Sequence, residues 1–536
     1  MSEPLLVLFL VAAAAAVTVH FNRRKVTLPY PPGPKGFPIV GNLFDVPPDY
    51  QWNTYTEWGK KYGDIMHVNV LGAHIVIINS EDIANDLLNK RSKLYSDRPR
   101  IEVMHMNGWM DNMGLKNHGD EWRRDRRVLH QRFRREEASN LHPLELSKAR
   151  ALLQNVLRAP KDFVSHFELR VDTYLLPQSN LILVSHRYPA AIVMYLIYGH
   201  DVKTFDDPLV TLTFETIWLF SGSVFPGTNF LNAFPALKHL PKWTPFLKDI
   251  YALCEKNKQM LKRLKEIPFN SVKRNLAQGT AVHSWVSDLL EKNKTKGKDA
   301  LPEDVIKAIG VSTFAAAMET TLTYMSTFVL AMVLYPEAQA KAQAEIDTII
   351  GTDRLPTFED RPLLPYVEAL FRELFRWHGP APLGIPHATS EDDIYNGHFI
   401  PKGSVIITNQ WAMWRNEDIY GPNTQEFQPK RFLNPDGTLT NRFPPTFGFG
   451  RRACVGKSMA DASTWIALVS MLSVFRITKA KDASGHEIAV SESFSDGIVS
   501  HPLPFECSIT PRSDAAKQLI IDNAPVALDS NPMFYD

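Results

Sequence analysis

Cysteine is scarce: three stand in 536 residues, at positions 254, 454 and 507. None is close in sequence to another, which excludes the paired ligands of a zinc site and a disulfide framework and points to a reducing compartment. Net charge is equally scarce. Lys and Arg number 59 against 58 Asp and Glu, a balance of +1, so the chain as a whole does not attract nucleic acid and any electrostatic partner must meet a local patch. What is abundant is apolar surface, at 44% of residues with 22% charged, which describes a globular chain with ample core. The length suits several domains or one large enzyme body.

The N-terminus carries a run from Leu5 to Val19 that is apolar apart from Thr18, followed by Arg23, Arg24 and Lys25. A cleaved secretory signal has an apolar region of similar length but carries its positive charge ahead of it. Here Glu3 precedes the run and the basic cluster follows. That order predicts an uncleaved membrane anchor over residues 1–21, with the N-terminus luminal and the rest cytosolic. As a helix, Pro4 to Phe21 covers roughly 27 Å, enough for a thin bilayer. Residues 22–45 are a basic and proline-rich hinge, L-P-Y-P-P-G-P-K-G-F-P, in which fixed φ angles make a stiff spacer.

Alternation from Tyr62 to Ile78 predicts paired strands turning at Leu71-Gly72-Ala73. Beyond residue 80 helical periodicity dominates. Met104, Met106, Met110 and Met113 cluster around Trp109; they either line an apolar pocket or fill core. Residues 121–136 hold seven arginines on one expected helix, read either as a solvated face or as a dock for an acidic partner. Trp122 and Arg126, at i and i+4, share a face and can bond one carboxylate. Residues 214–246 mix aromatics with glycine and proline, a greasy connection that touches a bilayer, gates apolar substrates or simply packs.

After Pro302 a helix can run to Tyr335, where Pro336 stops it. Its middle, A-I-G-V-S-T-F-A-A-A-M-E-T-T-L-T-Y, is apolar nearly all round and so is expected to be buried. Glu319 within it is costly unless used or paired, whereas Thr320 can bond back to its own helix. Glu373 and Arg376, one turn apart, can pair. The stretch from Phe447 to Gly456, F-G-F-G-R-R-A-C-V-G, sets Cys454 among glycines and arginines just before an apolar helical run, Met459 to Phe475. A helix N-terminus lowers a thiol's pKa, so an anionic sulfur is expected. Gly448, Gly450 and Ala453 also fit a dinucleotide fingerprint, but no strand precedes them and no acid follows about 20 residues on, which rejects it.

In this order, the proline hinge, W-R-R-D-R, A-A-M-E-T-T, E-L-F-R, P-K-R-F and F-G-F-G-R-R-A-C-V-G resemble the membrane-anchored cytochromes P450 over roughly residues 1–512. Y-S-D-R-P near residue 97 and S-H-P-L-P-F-E-C-S-I near the end are most similar to fungal members of the O-methylsterigmatocystin oxidoreductase type. The resemblance implies a mainly α fold with a smaller β part, in which a long central helix and a cysteine loop sandwich haem b, with an N-terminal transmembrane helix. The catalytic domain would span 46–512 and a C-terminal tail 513–536.

By the same resemblance, Cys454 is the axial iron ligand, pushing electron density towards the metal. Trp122, Arg126, His387 and Arg452 bond the haem propionates, and Phe447 packs beside the cysteine. Glu319 and Thr320 are the acid and alcohol that handle protons for bound oxygen. Glu373, Arg376 and Arg431 form a structural charge cluster. Two residues depart from the family pattern: Ala317 replaces the usual glycine and Lys430 the usual glutamate.

The activity implied is monooxygenation of a small apolar substrate, such as a polyketide, terpenoid, fatty acid or xenobiotic. Electrons come from NADPH through a reductase, with cytochrome b5 as a further donor, and the site is the endoplasmic reticulum membrane. The arginine-rich helix, with Arg451 and Lys457, is the expected dock; nucleic acid is not an expected partner. Rival readings are a haem-thiolate enzyme that rearranges an oxygenated lipid without O2, which the acid-threonine pair disfavours, and a non-catalytic haem sensor in the membrane.

Overall fold

The computed structural model describes residues 28–159, 184–203, 207–221 and 230–535. The expected anchor, residues 1–21, and the start of the hinge lie outside the described residues. The chain divides into two compact bodies. One takes the described part of Met1–Arg100 with Leu383–Met413 and Gly448–Arg452; the other takes Ile101–Pro382, Trp414–Phe447 and Ala453–Asp536.

The smaller body is built on a sheet. Helix α1 (Gln51–Tyr62) leads into β1 (Ile65–Val70) and β2 (Ala73–Ile78), paired antiparallel from Ile65 with Ile78 to Val70 with Ala73. Leu71 and Gly72 both have positive φ, at 51° and 91°, the signs a two-residue hairpin turn needs to match strand twist. Strands β3 (His387–Ala388), β4 (Asp393–Tyr395), β5 (His398–Ile400) and β6 (Val405–Thr408) follow, and the main sheet runs β1-β2-β6-β3, with β2 and β6 parallel. The hinge is no free spacer from Pro29 onwards. Pro32 O accepts from His67 N at 2.9 Å, Pro29 O accepts from Phe399 N at 2.8 Å, and Tyr30 stacks on His67 at 4.6 Å. Prolines cannot donate to a ladder, but their carbonyls accept from it.

The larger body is helical. Its described elements include α2 (Glu102–Asn107), α3 (Asp120–Phe133), α4 (His142–Arg158), α5 (Val184–Tyr198), α6 (Pro208–Ser221), α7 (Pro245–Gln278) and α8 (Trp285–Lys296). They surround the central helix α9 (Glu303–Leu334) and continue with α10 (Pro336–Ile349) and α11 (Pro365–Trp377). Helix α12 (Lys457–Val474), the antiparallel strands β7 (Phe475–Lys479) and β8 (Cys507–Pro511), and α13 (Asp514–Asp522) complete it.

Helix α9 starts with Glu303 and Asp304, which complement its macrodipole, and ends before Pro336. It is apolar enough to cross a membrane by length and composition, but 78% of its most apolar window is buried in the protein, so its hydrophobicity goes into the core. Phe328, Val329, Leu330, Ala331 and Met332 have no exposed surface and pack with Phe371, Phe375 and Trp465. Gly310 lets α5 approach: a Cβ there would lie 2.5 Å from the Tyr198 hydroxyl. The helix is continuous through Ala317, so the missing glycine does not break it.

The arginine-rich helix is shorter than expected. It ends at Phe133, with Arg134 extended at its C-cap, and Arg135 begins a separate turn. The four methionines divide among clusters: Met104 and Met110 lie with Ile101, Leu115, Phe220 and Ile498, Met106 with Val103 and Leu231, and Met113 with the α5–α9 core. The tail belongs to the larger body. Asn531, 1% exposed, donates its backbone N–H to Gly199 O (2.7 Å) and its amide to Tyr198 O (2.6 Å), and accepts from Val282 N (2.7 Å).

Candidate active site

Cys454 sits two residues ahead of Gly456, the N-cap of α12. Its backbone N–H donates to Phe447 O at 2.8 Å, closing the loop on itself. The residue is exposed, yet burial of the sulfur is the largest influence on its thiol. That burial raises the pKa, against lowering by the Gly456 N–H, Arg126 and Lys457. The helix terminus is present, and the cations beside it are Arg126 and Lys457 rather than the loop's own arginines, but they do not by themselves make the thiolate. Desolvation of a charged sulfur outweighs them, so the anion needs a further positive partner.

The loop's shape depends on Gly450. Its φ is +58°, and a Cβ would stand 1.9 Å from Leu88 O; only a residue without a side chain lets the two backbones approach so closely. Gly450 N also donates to the Asn89 side chain.

Helix α9 presents one accessible stripe. Ala316 is exposed and Thr313, Ala317 and Thr320 are half-buried, between neighbours that are mostly buried. The i, i+3, i+4, i+7 spacing puts the four on one face, about 10 Å long. One turn further on lies Tyr324. Its pKa is raised by burial first and, against a lowering hydrogen bond from Thr446, by Cys454, so the sulfur's field reaches this helix.

Thr320 takes the local option, donating its hydroxyl to Ala316 O at 2.8 Å. Glu319 is paired: Oε1 lies 3.3 Å from His501 Nε2, and His501 Nδ1 lies 2.7 Å from Thr323 Oγ1. His501 went unnoticed in the sequence because it is 182 residues from Glu319 in a segment without periodicity.

Trp122 and Arg126 lie on one face of α3, with the guanidinium 5.7 Å from the indole centroid. Arg126 donates to Ala453 O at 2.6 Å, which ties α3 to the cysteine loop. Burial lowers its pKa and the Cys454 thiolate raises it. In the smaller body, His387 sits on β3 with Nδ1 2.8 Å from Tyr95 O, and Arg452 donates to Ser96 O at 2.8 Å. Arg98, which sequence reading passed over, joins them: it is 9% exposed and donates to Ile385 O and Pro386 O, both at 2.7 Å. Burial first, then Arg98 and Arg452, push the His387 pKa down to about 3. Two guanidiniums close to a neutral imidazole concentrate positive charge, the chemistry that recognises a carboxylate.

Glu373, Arg376 and Arg431 lie together. Glu373 and Arg376 pair at 2.6 and 2.8 Å, and Arg431 Nε stands 3.5 Å from Glu373. Arg376 also donates to the carbonyls of Trp414, Thr424 and Glu426, using all five of its N–H groups. Burial still raises the Glu373 pKa. Lys430 points outward and is exposed, so its substitution for glutamate leaves the cluster intact. Phe447 packs with Phe375 and Phe443, at 5.6 and 6.0 Å.

An exposed cysteine at the head of a helix and an accessible stripe on a central helix are the features that suit a haem-thiolate type of protein. Residues 31–509 match the family model for cytochrome P450. Similar curated proteins include cytochrome P450 monooxygenase 208 of Postia placenta, 39% identical over 533 residues (97% of this chain, 98% of the relative). Cytochrome P450 monooxygenase claR of Ampulloclitocybe clavipes is 39% identical over 498 residues (91% and 88%). Cytochrome P450 monooxygenase COX1 of Coprinopsis cinerea is 34% identical over 531 (96% and 98%). The chain belongs to the cytochrome P450 family and is a monooxygenase.

Proposed function

We propose that this protein binds haem b through Cys454 and inserts one oxygen atom from O2 into a small apolar organic molecule, with electrons drawn from NADPH through a separate reductase. The observation that carries the reading is the accessible Cys454 sulfur beside the Gly456 N–H, Arg126 and Lys457. A ferric iron supplies the missing positive partner for that sulfur.

The donor set fits the group. Within the larger body, Trp122 and Arg126 on α3 are residues that would take a carboxylate of the group; within the smaller body, His387, Arg452 and Arg98 make a carboxylate-recognising cluster of their own. The stripe Thr313, Ala316, Ala317 and Thr320 has no bulky side chain, so it would admit a flat ring and a small ligand above it. When bound, the haem supplies oxygen activation. Glu319 and Thr320 hold and move protons, and the apolar residues around Met104, Phe220 and Ile498 exclude water from the guest.

The exposed Arg123 and Arg127 of α3 and Lys457 of α12 form a basic surface suited to an acidic reductase, with cytochrome b5 as an alternative occupant. The apolar run and basic cluster of residues 1–25 support attachment to the endoplasmic reticulum membrane. Substrates of the polyketide, terpenoid or fatty-acid kind suit an apolar pocket.

Purified protein is expected to show the long-wavelength Soret band of a thiolate-ligated haem on reduction under carbon monoxide, and C454A to lose it. With reductase, NADPH and labelled O2, one labelled atom should enter the product. Protein without a thiolate-haem spectrum would overturn the reading. The docking surface fails if charge reversal at Arg123 and Arg127 leaves reductase affinity unchanged at low salt.

A further inference from the structure

The carboxyl of Glu319 is not simply a buried acid waiting for a substrate. It belongs to a closed hydrogen-bond ring. Thr323 Oγ1 lies 3.0 Å from the Glu319 carbonyl and 2.7 Å from His501 Nδ1, and His501 Nε2 lies 3.3 Å from Glu319 Oε1. Both ionisable side chains keep some contact with solvent, 21% for His501 and 19% for Glu319.

The imidazole is held from its own backbone. His501 N donates to Ser495 Oγ at 3.0 Å and Ser495 N to His501 O at 2.7 Å, across a hairpin whose edge pairs Phe494 with Pro502. Ser500 N anchors that hairpin to Pro380 O at 2.8 Å, and Phe494 stacks on His378 at 3.4 Å. The ring is therefore placed by a strap of the larger body, independently of α9.

Thr323 has one hydroxyl proton, and this decides what the ring can do. If it goes to the Glu319 carbonyl, His501 Nδ1 must carry a proton and donate to Thr323. Nε2 is then either a donor to a carboxylate or an acceptor from a carboxylic acid. These two forms differ by transfer of one proton between His501 Nε2 and Glu319 Oε1, with no other atom moving far. The remaining ionisable neighbour, His378, is held neutral by burial first, with Arg415 and His501 adding to the effect.

We propose that His501 is a proton-supplying positioning residue, which holds the Glu319 carboxyl through Nε2 and returns to it the proton that Glu319 gives up in each turnover. The proton leaves His501 Nε2, forms the O–H bond at Glu319 Oε1, and is replaced at Nε2 from solvent, so charge and protons balance. The inference rests on the reading of Glu319 as the acid of the reaction.

The test compares H501Q, H501F and E319Q in the haem-loaded, full-length enzyme with reductase, NADPH and 7-ethoxycoumarin as probe, in H2O and D2O. Glutamine can keep the hydrogen bond to Glu319 but cannot supply a proton. H501Q should lower turnover about tenfold and raise the solvent isotope effect, within the range of general-acid contributions, while the probe's Kd from spectral titration stays within about twofold. Independently of activity, thermal unfolding of E319Q, H501F and the double variant should show a combined loss smaller than the sum of the two. H501Q with wild-type turnover beside an impaired H501F would overturn the proposal in favour of a structural hydrogen bond, and additive unfolding would overturn the contact itself. E319Q with wild-type turnover would instead overturn the underlying role of Glu319.

Discussion

Arg376 and Glu373, one helical turn apart on α11 and both without exposed surface, close a two-pronged ion pair at 2.6 and 2.8 Å. Arg376 spends its remaining N–H groups on three carbonyls from residues 414–426. The pair is thus the clamp by which a helix holds an irregular segment. Replacing Arg376 by Ala strands a buried carboxylate and three carbonyls, and should cost about 3–5 kcal/mol. Arg376→Lys should fail nearly as badly, because an ammonium cannot reproduce the planar fork. Urea unfolding and haem content measure both.

Gly448 and Gly450 both have positive φ, at +71° and +58°, but only Gly450 faces a backbone oxygen where a Cβ would go. G448A should cost about 1–2 kcal/mol, the penalty of a left-handed alanine. G450A should lose more, since Leu88 must move, and should reduce haem retention on a gel-filtration column where G448A does not. Equal losses in both would show that the close approach to Leu88 is unimportant.

Asn531 satisfies backbone groups of Gly199, Tyr198 and Val282 from inside the larger body. Asn531→Ala leaves the Tyr198 carbonyl and the Val282 N–H without this partner, which should cost about 1–3 kcal/mol. Limited proteolysis should then cut the C-terminal tail sooner than in wild type.

His387 is held neutral in the folded state, its pKa lowered to about 3 chiefly by burial, whereas an unfolded histidine titrates near 6.5. Between these values the unfolded chain binds the extra proton. The contribution of neutral His387 is therefore complete above about pH 6.5 and is lost as pH falls towards 3, by at most about 1.4 kcal/mol per pH unit. His387→Gln should flatten that part of the urea-midpoint curve. A variant curve with the wild-type slope would place the acid sensitivity elsewhere.

Local chemistry determined much of this protein from sequence alone. The central helix was legible in the spacing of Pro302 and Pro336 and its apolar middle, the β1–β2 hairpin in alternation around Leu71-Gly72, and the cysteine loop in its glycines. Each depends on neighbours a few residues away. Four matters depended on residues distant in the chain, and only the tertiary structure decided them. His501 reaches Glu319 from a segment with no period, and Arg98 joins His387 and Arg452 through contacts with strand-end carbonyls. The tail locks through the buried Asn531, with Ser530 accepting from Asp201 N and Phe534 N donating to Ser271. Cys454, expected to be anionic from its helix, is instead governed by desolvation, because burial depends on everything packed around a residue and the macrodipole only on the turn that follows it.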